Sequence, residues 1–370
     1  MKKTILLSIL LCLSAIYGSA ALPDSLLRSY AAEMLIVGFR GDSVETDPDI
    51  AHILRDVRPG GIILFDVDLT SGGGLGTRNI RSRSQLAHLT DGLRKLADYP
   101  LIIAADQEGG LVQRLKPRYG YSPLPEAFYI GTTVNHPDTT ARYAGVMARE
   151  LAEAGVNMNL APELDIHKPD CPVIGKLSRA FSADPDSVAF HAGIVADSLL
   201  ARKIIPVGKH FPGHGSATAD SHYGLTDVTA SWDSTELIPF RNLIESGRLP
   251  AIMTAHIFNR NIDPDNPATL SHKILTELLR DRLGFKGVVI TDDMYMKGII
   301  DNYSIEDAVV RAINAGADMM IMGNNISTGY EADRPDRMVD LIVKAVRDGR
   351  IGESRIMESH ERIRSLLNRD

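Results

Sequence analysis

Two short segments of this chain carry most of the residues able to do chemistry. The first runs Lys209-His210-Phe211-Pro212-Gly213-His214-Gly215 and continues to Asp220-Ser221-His222; the second is Val288-Val289-Ile290-Thr291-Asp292-Asp293-Met294. His210 and His214, four residues apart, suggest metal ligands. That spacing aligns two rings only on a helix, and Pro212-Gly213 between them breaks one. The competing reading pairs Asp220 with His222. In an extended segment residues two apart face the same way, so Asp220 accepts a hydrogen bond from one ring nitrogen of His222 and leaves the other for a substrate. The pairing favours the protonated ring, a proton donor near neutral pH. The neighbouring glycines allow the loop to move over a ligand.

In the second segment two carboxylates follow an apolar run. Asp293 is expected at the start of the next helix, where an acid is favoured. Asp292, as the last strand residue, can point inward. A buried carboxylate facing a His-Asp pair meets the needs of retaining glycoside cleavage, with a nucleophile below the sugar ring and an acid above it.

Such residues must be held by a scaffold, and the apolar runs define one. They are Met34–Phe39, Gly61–Phe65, Leu101–Asp106, Val156–Ala161, Ile204–His210, Ala251–Ile257, Gly287–Asp292 and Asp318–Gly323. The runs are nearly continuous rather than alternating, as in parallel strands buried on both faces. Amphipathic stretches such as Ser187–Arg202, Ser271–Leu283 and Ile305–Ala315 lie between them, the last stopped by Gly316. This alternation predicts an α/β fold, a single (β/α)8 TIM barrel with room for an irregular first strand or helix. Polar residues gather where runs end: Asp106-Gln107-Glu108, Glu163 with Asp165, Lys209-His210, His256 and Asp292-Asp293. Barrels place their chemistry at these C-terminal strand ends, which favours a barrel over a doubly wound sheet. Ser71-Gly72-Gly73-Gly74-Leu75-Gly76 lacks the Lys-Ser/Thr ending of a phosphate loop and reads as a mobile loop.

The start of the chain reads differently. Met1-Lys2-Lys3, the apolar run Thr4 to Tyr17 and Gly18-Ser19-Ala20-Ala21 have the order of a cleaved secretory signal over 1–21, leaving 22–370 as the catalytic barrel. Forty basic residues less Lys2 and Lys3 leaves 38 against 47 acidic ones, a formal charge of −9. Such a surface disfavours nucleic acid. One cysteine, Cys171, then remains, so no internal disulfide is expected. No later segment reaches the ~20 apolar residues of a membrane span.

The two chemical segments, together with Gly60-Gly61-Ile62-Ile63-Leu64-Phe65, Asp106-Gln107-Glu108-Gly109-Gly110, Val112-Gln113-Arg114 and Asn159-Leu160-Ala161-Pro162, resemble the exo-β-N-acetylglucosaminidases of glycoside hydrolase family 3. The resemblance implies that Asp292 is the nucleophile of a covalent glycosyl-enzyme and that His222, oriented by Asp220, is the acid/base. It implies that Asp106 binds sugar hydroxyls and that Arg114, Arg179, Lys209 and His210 occupy other sugar-contacting positions. His256 is expected to line the site, and His214 to hold the loop. No cofactor or metal is called for. The implied substrate is a β-linked N-acetylglucosamine glycan, with peptidoglycan fragments or muropeptides first and a periplasmic address fitting them. Two departures from the family pattern stand out: Leu111 replaces the usual Arg, and about two extra residues precede Arg179. Phosphorolysis, a metal-dependent barrel hydrolase and a sugar-binding protein without turnover are the competing readings.

Overall fold

Every expected apolar run contains a strand in the computed structural model, which describes residues 21–45, 47–220, 224–326 and 329–368. The strands are β1 (Leu35–Gly38), β2 (Gly61–Ile63), β3 (Ile102–Ala105), β4 (Met158–Asn159), β5 (Ile205–Phe211), β6 (Ala251–Thr254), β7 (Val288–Asp293) and β8 (Met319–Met322). Each pairs in parallel with its neighbours in sequence, and β8 pairs with β1, closing the barrel. Closure removes both sheet edges and buries the strands inside and out, which is why their sequences are apolar without alternation. Residues 1–20 of the proposed signal segment lie outside the described residues.

The intervening helices follow from local sequence. In Ile305–Ala315, Ser304 accepts a hydrogen bond from the Asp307 N–H, Glu306 and Asp307 occupy the positive first turn, and Gly316 at φ 122° ends the helix. Its Ala308, Val309, Ala312 and Ile313 form the buried face. Pro185–Leu200 and Lys273–Arg282 fill the other two stretches expected to be helical, the latter wound as a wider π-helix. The irregularity expected at the start of the barrel falls on the first helix after β1. Pro48–His52 passes into a π-helical turn at Ile53–Val57, whereas β1 is regular and paired on both sides.

Two contacts matter for barrel integrity. At the β1–β8 seam a Cβ on Gly38 would lie 1.8 Å from the Gly323 carbonyl oxygen, so the strands meet closely only because residue 38 has no side chain. At the opposite end, buried Asp318 accepts hydrogen bonds from Arg280 (2.6 Å), Arg355 (2.9 Å) and Arg362 (3.0 Å). Burial alone would raise its pKa, but the three guanidinium groups outweigh it and hold the carboxyl below its usual range. This hub ties the final helix, Glu353–Leu367, to the barrel floor. The glycine-rich segment expected to be mobile is instead bonded internally. Asp68 accepts from the Thr70 and Ser71 N–H groups, its carbonyl accepts from Gly73, and Val67 bridges Leu75.

Candidate active site

The ends of β3, β4 and β5 bring opposite charges together. Lys209, buried at the end of β5, donates to Asp106 Oδ1 at 3.0 Å and lies 2.6 Å from Glu108 Oε1. Arg114, from the short ribbon formed by Gln107–Gly109 and Val112–Gln113, donates to the other Asp106 oxygen at 3.2 Å. Burial would raise the Asp106 pKa, but Lys209 and Arg114 outweigh it and keep the carboxyl well below its usual range. Asp106 is therefore ionised and held at both oxygens, and its side chain remains 15% exposed. An acceptor of this kind, beside two cations, suits a pair of sugar hydroxyls.

The network continues inward. Arg179 grips Glu108 with two N–H donors at 2.9 and 2.8 Å, reaches Glu163 at 3.0 Å and donates to the Val173 carbonyl at 2.9 Å. The sequence placed Arg179 against sugar; in the structure most of its donors serve the floor of the site, because its guanidinium is enclosed by acidic groups. His210 Nδ1 lies 2.8 Å from Asp165 Oδ2 and 3.3 Å from Glu163 Oε1. Burial opposes a charged ring, but the two carboxyl groups outweigh it and push the His210 pKa up to about 10. The carboxyl pair splits: burial and the neighbouring Glu163 raise Asp165, whereas His210 and Arg179 overcome burial and lower Glu163. Glu163, Asp165 and His210 lie close enough for a shared cation. A proton on His210 and the Arg179 guanidinium already supply positive charge there.

Beyond β5 the chain enters the loop singled out by sequence. The Lys209-His210 and Phe211-Pro212 peptide bonds are cis. The His214 backbone N–H donates to Asp165 Oδ1 at 2.6 Å, and burial together with charged His210 drives its ring pKa down to about 3. Asp220 is half-buried further along; His222, its expected partner, lies outside the described residues.

At the end of β7, Asp292 is half-buried and accepts the Asp293 N–H at 2.7 Å. Asp293 does not start a helix as expected. It is the last residue of β7, its carboxylate accepting from the Tyr295 N–H at 3.0 Å and the Gly323 N–H at 3.2 Å. Burial pushes its pKa up to about 6. His256 also differs from expectation. It is 1% exposed, with Nδ1 2.8 Å from Thr269 Oγ1 and Nε2 donating to the Asp293 carbonyl at 3.0 Å. Both ring nitrogens face protein groups, so His256 buttresses the end of β7 at Asp293. Glu108, Glu163 and Asp165 were visible in sequence as strand-end acids, but their partners depend on which strand ends meet.

An eight-stranded parallel barrel with charged residues gathered at its C-terminal strand ends defines an α/β-barrel scaffold with its candidate site at the mouth. The profile of the glycosyl hydrolase family 3 N-terminal domain matches residues 26–366, and the chain belongs to this family of glycoside hydrolases. It is 38% identical over 285 residues to a beta-hexosaminidase of Tolumonas auensis, covering 76% of this chain and 80% of that one. A glycoside hydrolase family 3 beta-N-acetylglucosaminidase from Paenibacillus sp. superposes with a TM-score of 0.82 at 32% identity, over 94% of this chain and 62% of that chain. A beta-N-acetylhexosaminidase from Beutenbergia cavernae gives a TM-score of 0.81 at 26% identity, covering 93% and 98%. This chain thus spans less than two thirds of the Paenibacillus chain but nearly all of the Beutenbergia one.

Proposed function

We propose that this protein is a retaining exo-β-N-acetylglucosaminidase that releases terminal N-acetylglucosamine from β-linked glycans. The observation that carries the reading is that Asp106, ionised between Lys209 and Arg114, and Asp292, near the end of β7, both lie at the C-terminal strand ends of one barrel. The first offers a seat for sugar hydroxyls, the second a nucleophile. The hexosaminidase names of the relatives support the choice of sugar. In the first step His222, oriented by Asp220, protonates the leaving oxygen as Asp292 attacks the anomeric carbon. In the second, neutral His222 takes a proton from water, which displaces Asp292 and restores the anomeric configuration. Peptidoglycan fragments are the natural substrate class, reached in the periplasm after export by the 1–21 signal.

Proton NMR of the first-formed sugar tests the chemistry. Release of the β-anomer is expected, and initial release of the α-anomer would overturn the two-step route. Adding phosphate separates the competitor: the account predicts free N-acetylglucosamine, and accumulation of the sugar 1-phosphate would make the enzyme a phosphorylase. A chelator is expected to leave the rate unchanged; loss restored by a divalent metal would favour a metal hydrolase. Cell fractionation tests the address, and a cytoplasmic pool alone would exclude export.

A further inference from the structure

Glu236 is a buried carboxylate that the reaction above does not use. It sits in the Ser234–Leu237 turn leading into the helix Ile238–Glu245, with no solvent exposure. Its Oε2 accepts the Gly215 N–H at 3.1 Å and its Oε1 accepts the Ser216 hydroxyl. Lys168 donates to the same hydroxyl at 2.5 Å, from 3.8 Å beyond the carboxylate. The Ser231 hydroxyl donates to the Ser216 carbonyl at 2.8 Å, and Trp232 Nε1 to the Pro212 carbonyl at 3.1 Å. The returning chain thus clasps the stem of the loop it has just formed. The fit is close on both sides. A Cβ on Gly213, at φ 120°, would lie 2.6 Å from Glu236 Oε2, and one on Gly215 would lie 2.1 Å from the Ile166 carbonyl oxygen.

We propose that Glu236, acting through Gly215 and Ser216, is the positioning residue for the Gly213–Ala217 stem that leads to Asp220. The inference rests on the reading of Asp220 and His222 as the acid/base pair. Its chemical basis is the direction of the hydrogen bonds. Lys168 occupies a lone pair of the Ser216 oxygen, so the hydroxyl hydrogen needs an acceptor, and the Gly215 N–H needs another. A carboxylate accepts both. An amide of the same shape accepts one and presents a donor to the other, so either the Ser216 hydroxyl hydrogen or the Gly215 N–H loses its acceptor. Burial, opposed by the Ser216 hydroxyl, Lys168 and the Gly215 N–H, pushes the Glu236 pKa up to about 7.

The test compares Glu236→Gln, Ser216→Ala and His222→Ala on two N-acetyl-β-glucosaminides. One carries a dinitrophenyl leaving group, which departs without protonation, and the other a methyl leaving group, which needs it. For Glu236→Gln, kcat/KM on the methyl glycoside is expected to fall about tenfold or more, while the dinitrophenyl rate stays within about threefold. Ser216→Ala should show the same split and carries the test if Glu236→Gln fails to fold. Equal loss on both substrates, or no loss on either, overturns the positioning role. His222→Ala reports on the underlying reading separately: a large selective loss upholds it, and equal losses on both substrates remove it whatever Glu236 does.

Discussion

At the scale of single residues, the site depends on charges paired below the solvent surface. Lys209 is the clearest case, since one ammonium group serves Asp106 and Glu108 with its side chain only 3% exposed. Burial would lower its pKa, but the two acids outweigh it and raise it, so the charge is retained. Lys209→Met leaves Asp106 with Arg114 and Glu108 with Arg179 but removes the buried cation that the two acids share. Removing one partner of a buried pair costs about 3–5 kcal/mol. Urea unfolding should show a loss of that order together with a large fall in kcat/KM; stability within about 1 kcal/mol of wild type would contradict the pairing. Asp293 should behave differently, because its carboxylate holds two backbone N–H groups rather than a cation. Asp293→Asn retains one good acceptor and is expected to cost about 1–3 kcal/mol, measured in the same way. No loss would mean that those hydrogen bonds do not hold the strand end.

At the scale of elements, the eight strands were legible because strands buried on both faces must be continuously apolar. The polar residues at their ends were legible because barrel chemistry sits there. The pairings were not. Nothing local says that Lys209 reaches Asp106 and Glu108, since those contacts appear only once β3 and β5 sit on either side of β4. His256 was misjudged because a histidine at a strand end looks the same whether it faces the mouth or the Asp293 carbonyl. Glu236 was missed because a glutamate opening a helix is ordinary, and its burial is decided by a loop that begins more than twenty residues earlier. Elements remote from the mouth separate fold from function. Asp318→Asn weakens three guanidinium contacts at the barrel floor, and its expected loss is about 2–4 kcal/mol of stability. The kcat of the folded fraction should remain near wild type. A large fall in kcat at a temperature where the variant is fully folded would show that the floor and mouth are coupled.

At the scale of the whole molecule, the buried titrating groups set how stability varies with pH. Glu236 and His210 hold protons more tightly in the fold than in the unfolded chain, with pKa values up to about 7 and about 10. The folded state then binds more protons, so their stabilising contributions are lost as pH rises through those values. His214 acts oppositely. Its folded pKa of about 3 lies below the ordinary 6.5, so stability falls as pH drops beneath about 6.5. Thermal midpoints should therefore decline from about pH 7 towards pH 10, and a rise over that interval would contradict the assigned charge on His210. The catalytic claim has a more direct test: kcat/KM of the wild type and of Asp292→Ala on a chromogenic N-acetyl-β-glucosaminide, with both proteins matched for thermal midpoint. The account predicts turnover by the wild type and a loss of about 10⁴-fold or more in the variant, whereas an inactive wild type or a variant within about tenfold of it would contradict Asp292 as the nucleophile.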